Sequence, residues 1–500
     1  MSGKHCQIKW TRVVYLILLF GIWGGLSGTL LYEKYLRSDS EVRYVSLETG
    51  IRDIPTEAEW MAIYHQERHL GYAVFNVMNR DSLGYVLKST TQMNIALAGV
   101  ETNIHMESTV HVDPLFKLDS FFFRLISDQY STKIKGLKDG TNMNLTFYQG
   151  NDSTLQTMQV PEELYTYTGI QPMVASQGIK PGETIRMPAF DPASLEMSDV
   201  RVHHAGKERR EINGQEYELN RLELEFQGIP SILWLDDNGL TYREETVMGL
   251  VMERSTPAEA MQFTKSDEID LLDLYAVRPQ PPLERVAQLT ALTLELEGVE
   301  PALFQMLDSP RQQVVQTDPL ILRLRKMDLP RLEDDLSPYL AATEIIQCEH
   351  PGIQEAASRI VANIGPLAQK TRALTFWVFE HLAKRPVVSL SSASEILEAG
   401  IGDCTEHTTL FTALARAAGI PTRVHVGLVH VQGRFLYHAW PEVFVNDHWV
   451  AVDPTLGQYP ADPTHITLLV GDFANLTQLV PILGNLRIKV LEQQYGDRHP

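Results

Sequence analysis

"GIGDCTEHTTLFTALARAAGIPTR", residues 400–423, sets a single cysteine between a glycine-aspartate turn and a helical run. Asp403 stands where a helix N-cap belongs. Glu406, three residues on, completes a capping-box pattern in which aspartate takes the place of Ser or Thr. Leu410, Phe411, Leu414 and Ala418 form an apolar stripe, and Gly419 with Pro421 stops the helix. Cys404 is then the first helical residue. Its sulfur lies beside unpaired backbone N–H groups and the positive end of the helix dipole, where a thiolate is favoured. Asp403 and Glu406 act against this as anionic neighbours, so a nucleophilic Cys404 needs a cationic partner.

Downstream the chain offers His425, His430, His438, His448 and His465. "TRVHVGLVHV" and "FLYHAWPEVFV" flank a turn at Gln432-Gly433, and "FVNDHWVAVDP" makes a further hairpin through Asn446-Asp447. If Asn446-Asp447 is a two-residue turn, Trp440 opposes Asp453 and His438 shares a sheet face with Asp453, one diagonal step away. Diagonal neighbours lie roughly 7–8 Å apart at the backbone, within reach of imidazole and carboxylate. A register shift of one residue would put them on opposite faces. Cysteine at a helix start, histidine on a strand and aspartate at the end of the next form a nucleophile, base and orienting set: Cys404, His438 and Asp453. Trp440 and Trp449 are candidates to line the groove that receives substrate. Taken alone, Cys404 also reads as a small buried hydrophobe. A zinc site from Cys404, His407 and another histidine lacks the second Cys/His pair of a metal signature. Neither a metal nor a cofactor is expected.

The blocks "GDCTEHTTLFTALARAAGIPTRVHVGLV", "YHAWPEVFV" and "HWVAVDPTLGQ", in this order and spacing, resemble the transglutaminase-like branch of the papain-type fold over roughly residues 340 to 475. The resemblance implies a Cys-His-Asp triad that attacks amide carbonyls through a thioester, then hydrolyses the acyl-enzyme or passes it to an amine. It implies a peptide or protein substrate, with peptidase or amidase activity ahead of protein crosslinking. Bacterial proteins of this appearance are often membrane-anchored with the catalytic domain outside the cytoplasm. The calcium sites and flanking β-domains of the animal crosslinking enzymes find no counterpart here. A reading from another class is a catalytically silent peptide-binding or envelope scaffold protein.

The rest of the chain fits an α+β architecture: a C-terminal unit of helices packed on an antiparallel sheet, a large β-rich region before it, and one N-terminal membrane span. Over 45–265 the strands alternate, as in "RLELEFQG" and "MNLTF", and Asn238-Gly239 signals a hairpin, so a large antiparallel sheet or open barrel is expected. The prolines of "RPQPP", 278–282, read as a stiff break. "VAQLTALTLEL" and "LILRLRKM" then suggest a small connecting β module over 283–335, and helical periodicity opens the catalytic unit at 340–480. A net charge of −20 argues against a nucleic-acid partner; a lipid or envelope partner is open to the β-rich region.

Residues 13–32, "VVYLILLFGIWGGLSGTLLY", carry no charge over the length a membrane helix needs. Lys4, Lys9 and Arg12 precede them without an acidic residue, which places residues 1–12 in the cytoplasm and the body outside it; the resemblance implies that the membrane is the inner membrane of a bacterial cell and the outer space its periplasm. Cys348 and Cys404, the two cysteines outside the short tail, are expected to be free thiols. Alkaline phosphatase fused after residue 60 should therefore be active in a bacterial host and a cytosolic reporter at the same point inactive; the reverse pattern overturns the orientation.

Overall fold

The computed structural model describes residues 42–44 and 57–496, apart from internal stretches of which 264–274, 327–334 and 472–481 are the longest. The apolar run 13–32, read above as a membrane anchor, lies outside the described residues. Among the described residues no helix is long and apolar enough to cross a membrane.

The alternating segments of the β-rich region join in one sheet of 16 strands, fifteen of them in a continuous path from Val42–Tyr44 to Asp152–Gln159. Its closure is non-local. Glu59–His65 pairs antiparallel with Leu250–Arg254, so the two ends of the region meet within the sheet. The Asn238-Gly239 hairpin is present but wider than two residues: Asp236 Oδ1 accepts the N–H groups of Asn238 and Leu240. Phe121, Met143, Phe190 and Val202 form the inner core, and the helix Ile170–Gln177 buries Ile170, Met173 and Val174 against it.

A small four-stranded sheet follows, in the order Gln312–Thr317, Leu320–Arg325, Leu289–Glu297, Arg487–Tyr495. Two expectations change here. The expected 283–335 module supplies only three of these strands, and the fourth returns from beyond 480. Leu292, Leu294, Leu322 and Leu324 also belong to one core with Leu374, Phe411, Leu414 and Val424, so sheet and helices are packed as one body. The proline-rich segment is held rather than free. Val277 exchanges two hydrogen bonds of 2.9 and 2.7 Å with Phe435, and Gln280 pairs with Ile488 and Val490.

Among the described residues the C-terminal unit has four α-helices, α1 (Pro351–Ile360), α2 (Leu367–His381), α3 (Ala393–Ala399) and α4 (Cys404–Ala417). Four antiparallel strands complete it: β1 (Thr422–Val431), β2 (Arg434–Val445), β3 (His448–Ala451) and β4 (Ile466–Val470), in the order β3-β2-β1-β4. The apolar stripe of α4 suggested a helix with one wet face. Instead every residue from Glu406 to Arg416 is buried, because α4 lies on β1 and β2 and is covered by the other three helices. Its polar residues are accommodated by hydrogen bonds: Thr408 Oγ1 donates to Ala439 O at 3.1 Å, and Arg416 donates to the carbonyls of Thr422 and Ala341.

Both hairpins turn as their sequences require, with positive φ at Gln432 and Gly433 (50° and 85°) and at Asn446 and Asp447 (53° and 64°). The second fixes the register Glu442↔Ala451 and Val445↔His448. Gly427 of β1 lies between His438 on one side and Thr467 on the other, and a Cβ there would come within 1.9 Å of Ile466 O. Gly427→Ala should therefore push β4 away and destabilise the C-terminal unit by about 1–3 kcal/mol, the usual cost of forced overpacking. Thermal unfolding of the full chain should show a midpoint several degrees lower; an unchanged midpoint would mean that the close approach is relieved without cost.

Candidate active site

Cys404 owes its place to the cap that precedes it. Asp403 Oδ1 accepts the Thr405 N–H at 2.9 Å, and Glu406 Oε2 accepts the Asp403 N–H at 2.9 Å. The capping box expected from the sequence is thus formed, with Glu406 buried. A side chain at Gly402 would meet Glu406 Cβ at 2.2 Å, so the glycine is what lets the chain pass beneath its own cap. Cys404 is half-buried and unpaired as a disulfide, as is the fully buried Cys348.

His438 points from β2 toward the end of β3, as the register of the Asn446-Asp447 hairpin dictates. Its Nε2 lies 2.9 Å from Asp453 Oδ2, and the Cys404 thiol is also a hydrogen-bonding neighbour of its ring. Cys404, His438 and Asp453 are therefore brought together. Asp453 has no exposed surface. Its other oxygen, Oδ1, accepts the backbone N–H groups of Thr455 and Leu456, each at 2.8 Å. Burial opposes a charge on Asp453, but His438 and His465 together hold its carboxyl well below the usual range. Burial likewise works against a cationic His438. The charge and hydrogen bond of Asp453, aided by Cys404, outweigh it and raise the imidazole from 6.5 to about 9.

His465 is the residue that the sequence reading passed over. Its Nε2 sits 3.0 Å from the same Asp453 Oδ2, and its Nδ1 is 3.1 Å from the Asp462 carbonyl. It stands immediately before β4, which pairs with β1 and not with β2 or β3, so no local spacing connects it to Asp453. The donor atoms of His438, Asp453 and His465 lie within 4.8 Å of one another, a spacing a metal ion could use. Both imidazoles approach a single carboxylate oxygen at ordinary hydrogen-bond lengths, which is the arrangement of two N–H donors on one acceptor.

The tryptophans fall elsewhere than expected. Trp440 is 0% exposed and Trp449 3%, so neither indole presents a face to a groove. Trp440 packs against the rings of His438 and His465, with centroids 6.2 and 5.0 Å away. Trp449 carries the Arg423 guanidinium at 4.2 Å and the edge of Tyr339. The other histidines serve other contacts. His425 lies 2.9 Å from Glu442 and bonds Thr467, His448 bonds the Asn446 carbonyl, and His407 Nδ1 bonds the Asp403 carbonyl at 2.6 Å.

Residues 354–454 match the family model described as the transglutaminase-like superfamily. No curated protein matches the chain. Among solved structures, the chain is similar to a candidate cysteine protease from Cytophaga hutchinsonii at 17% identity over 43% of this chain and 90% of that one, with a TM-score of 0.28. A candidate protease from Parabacteroides distasonis shares 11% identity over 76% of this chain and 70% of that one, with a TM-score of 0.21. A β-barrel-like protein of a domain of unknown function from Brucella abortus shares 10% identity over 41% and 98%, with a TM-score of 0.34.

The site makes stability depend on alkaline pH. His438 and His465, both raised from 6.5 to about 9, hold their protons more tightly folded than unfolded. The stability they supply is fully present below about 6.5 and is lost as pH rises through 9. Asp453 and Asp462, both depressed, supply stability that is present above the ordinary carboxylate range and lost only in strong acid. The melting temperature of the full chain should thus fall between pH 7 and pH 10, and Asp453→Asn should flatten that fall. A wild-type profile level across this range would contradict the assignment.

Proposed function

With residues 354–454 forming a transglutaminase-like domain, we propose that the protein is a cysteine acyl-transfer enzyme acting on amide carbonyls of peptides or proteins. The observation that carries this reading is the buried His438–Asp453 pair facing a thiol at a helix start. The Cys404 sulfur, its proton passed to His438, attacks the carbonyl carbon as a thiolate, and the electrons of the C=O bond move onto oxygen. His438, held protonated by Asp453, gives its proton to the departing amine as the tetrahedral species collapses to a thioester. Water, deprotonated by His438, then attacks the thioester and releases the acid and the thiolate; an amine in place of water gives transfer. Asp453 keeps the imidazole oriented and balances its charge. Hydrolysis is favoured over crosslinking, and the apolar run 13–32 anchors the body outside the membrane.

Iodoacetamide tests the thiol without a known substrate. Cys404 should alkylate faster than Cys348 below neutral pH, since burial pushes the Cys348 thiol up, and His438→Ala should erase the preference. In turnover of an amide substrate, Cys404→Ala should abolish activity and Asp453→Asn should lose about 10²–10⁴ in rate. His448→Ala should remain within a few-fold of wild type. Equal alkylation of both cysteines in the folded protein, or full activity of Cys404→Ala, removes the proposal.

A further inference from the structure

His465 is enclosed by acceptors on both sides. Nε2 faces Asp453 Oδ2 at 3.0 Å; Nδ1 faces the Asp462 carbonyl at 3.1 Å and the Asp462 carboxylate at 3.5 Å. A carbonyl and two ionised carboxylates only accept hydrogen bonds, so both ring nitrogens must carry hydrogen. The ring is then an imidazolium between two aspartates, 1% exposed, with its edge toward Trp440. Asp462 is itself fixed. Its Oδ1 accepts from Thr464 N and Oγ1, and its Oδ2 accepts from Gln458 Nε2 at 2.9 Å. Asp453 receives four donors in all: His438, His465, and the N–H groups of Thr455 and Leu456. Four is the number a carboxylate can take, so its plane cannot turn without breaking one of them.

We propose that His465 is a positioning residue that stays an imidazolium between Asp453 and Asp462, locking the Asp453 carboxylate and offsetting part of the charge it presents to His438. The role rests on the reading of Cys404 and His438 as the reacting pair. Two cations then share one anionic oxygen, and the strength with which His438 holds its proton is set by how much of Asp453 is left to it. The groups facing this cluster are Asp462 from the same loop as Asp453, Cys404 from the start of α4, Lys384, whose charge reaches Asp453, and His407, whose burial disfavours its charged form. Besides His438, His465 is the imidazole in direct contact with Asp453.

The test is NMR of the full-length chain in detergent micelles, with histidine labelled in the ring and His438→Gln and His465→Gln used to assign the two signals. In the wild type both His465 nitrogens should show protonated imidazolium shifts at pH 7; a neutral tautomer there overturns the proposal without any variant having to fold. His465→Gln keeps an N–H donor for Asp453 but removes the charge. It should raise the His438 titration midpoint by about one unit, as loss of a close like charge does. A role in packing alone would leave the midpoint where it was, and that result also overturns the proposal. Cys404→Ala separates the two readings. It should lower the His438 midpoint by removing the thiol that favours the cation. If Cys404→Ala has no effect while His465→Gln does, the reacting pair is wrong and the His465 contact stands. If only Cys404→Ala has an effect, the inference about His465 fails alone.

Discussion

The C-terminal unit is organised around one carboxylate that has been taken out of water. An isolated ionised aspartate in such a place would be prohibitively costly, and the structure answers the cost with two imidazoles and two backbone amides. The four donors come from three pieces of chain: β2, the residue before β4, and the turn that follows Asp453 itself. The need to satisfy that charge thus adds a polar link between elements that the sheet and its core already hold together. It also explains why the loop 453–462 is so heavily bonded to itself, with Asp453 and Gln458 exchanging both backbone hydrogen bonds and the Gln458 amide clasping Asp462.

The same constraint orders Cys404 and His438. The cap of α4 fixes Cys404 along the helix, and Thr408 bonds the Ala439 carbonyl one residue past His438, so helix and strand are set in relation to one another. The absence of a side chain at Gly427, opposite His438, lets β4 come close enough to deliver His465. A glycine and a helix cap thus position side chains with which they share no chemistry.

What could be read from the sequence was what local physics decides. The capping box at Asp403, the positive-φ turn at Asn446-Asp447 and the period-two alternation of the strands each depend on a few consecutive residues. From that turn alone the diagonal of His438 and Asp453 followed. The features that stayed hidden are set by partners far along the chain. His465 depends on β4 pairing with β1 across about forty residues. The full burial of α4, of Trp440 and of Trp449 depends on which helices and strands come to cover them, and an aromatic on a strand carries no mark of which face will be covered. The proline-rich segment looked free because its partners, Phe435 and Ile488, lie more than 150 residues downstream.

The small sheet has a further consequence, for the order in which the molecule comes into being. Its central strand, Leu289–Glu297, waits for Arg487–Tyr495; Glu295 and Lys489, whose side chains meet at 2.9 Å, are 194 residues apart. Because this sheet shares one core with α4 and β1, the nascent chain cannot complete the body that holds Cys404 and His438 until Arg487–Tyr495 has left the ribosome. At elongation rates of about 5–20 residues per second, the segments between them spend on the order of ten seconds or more exposed without that closing partner. The β-rich region, whose strands lie wholly upstream, is free to fold during that interval. Synthesis thus completes the β-rich region first and the surroundings of Cys404 after it.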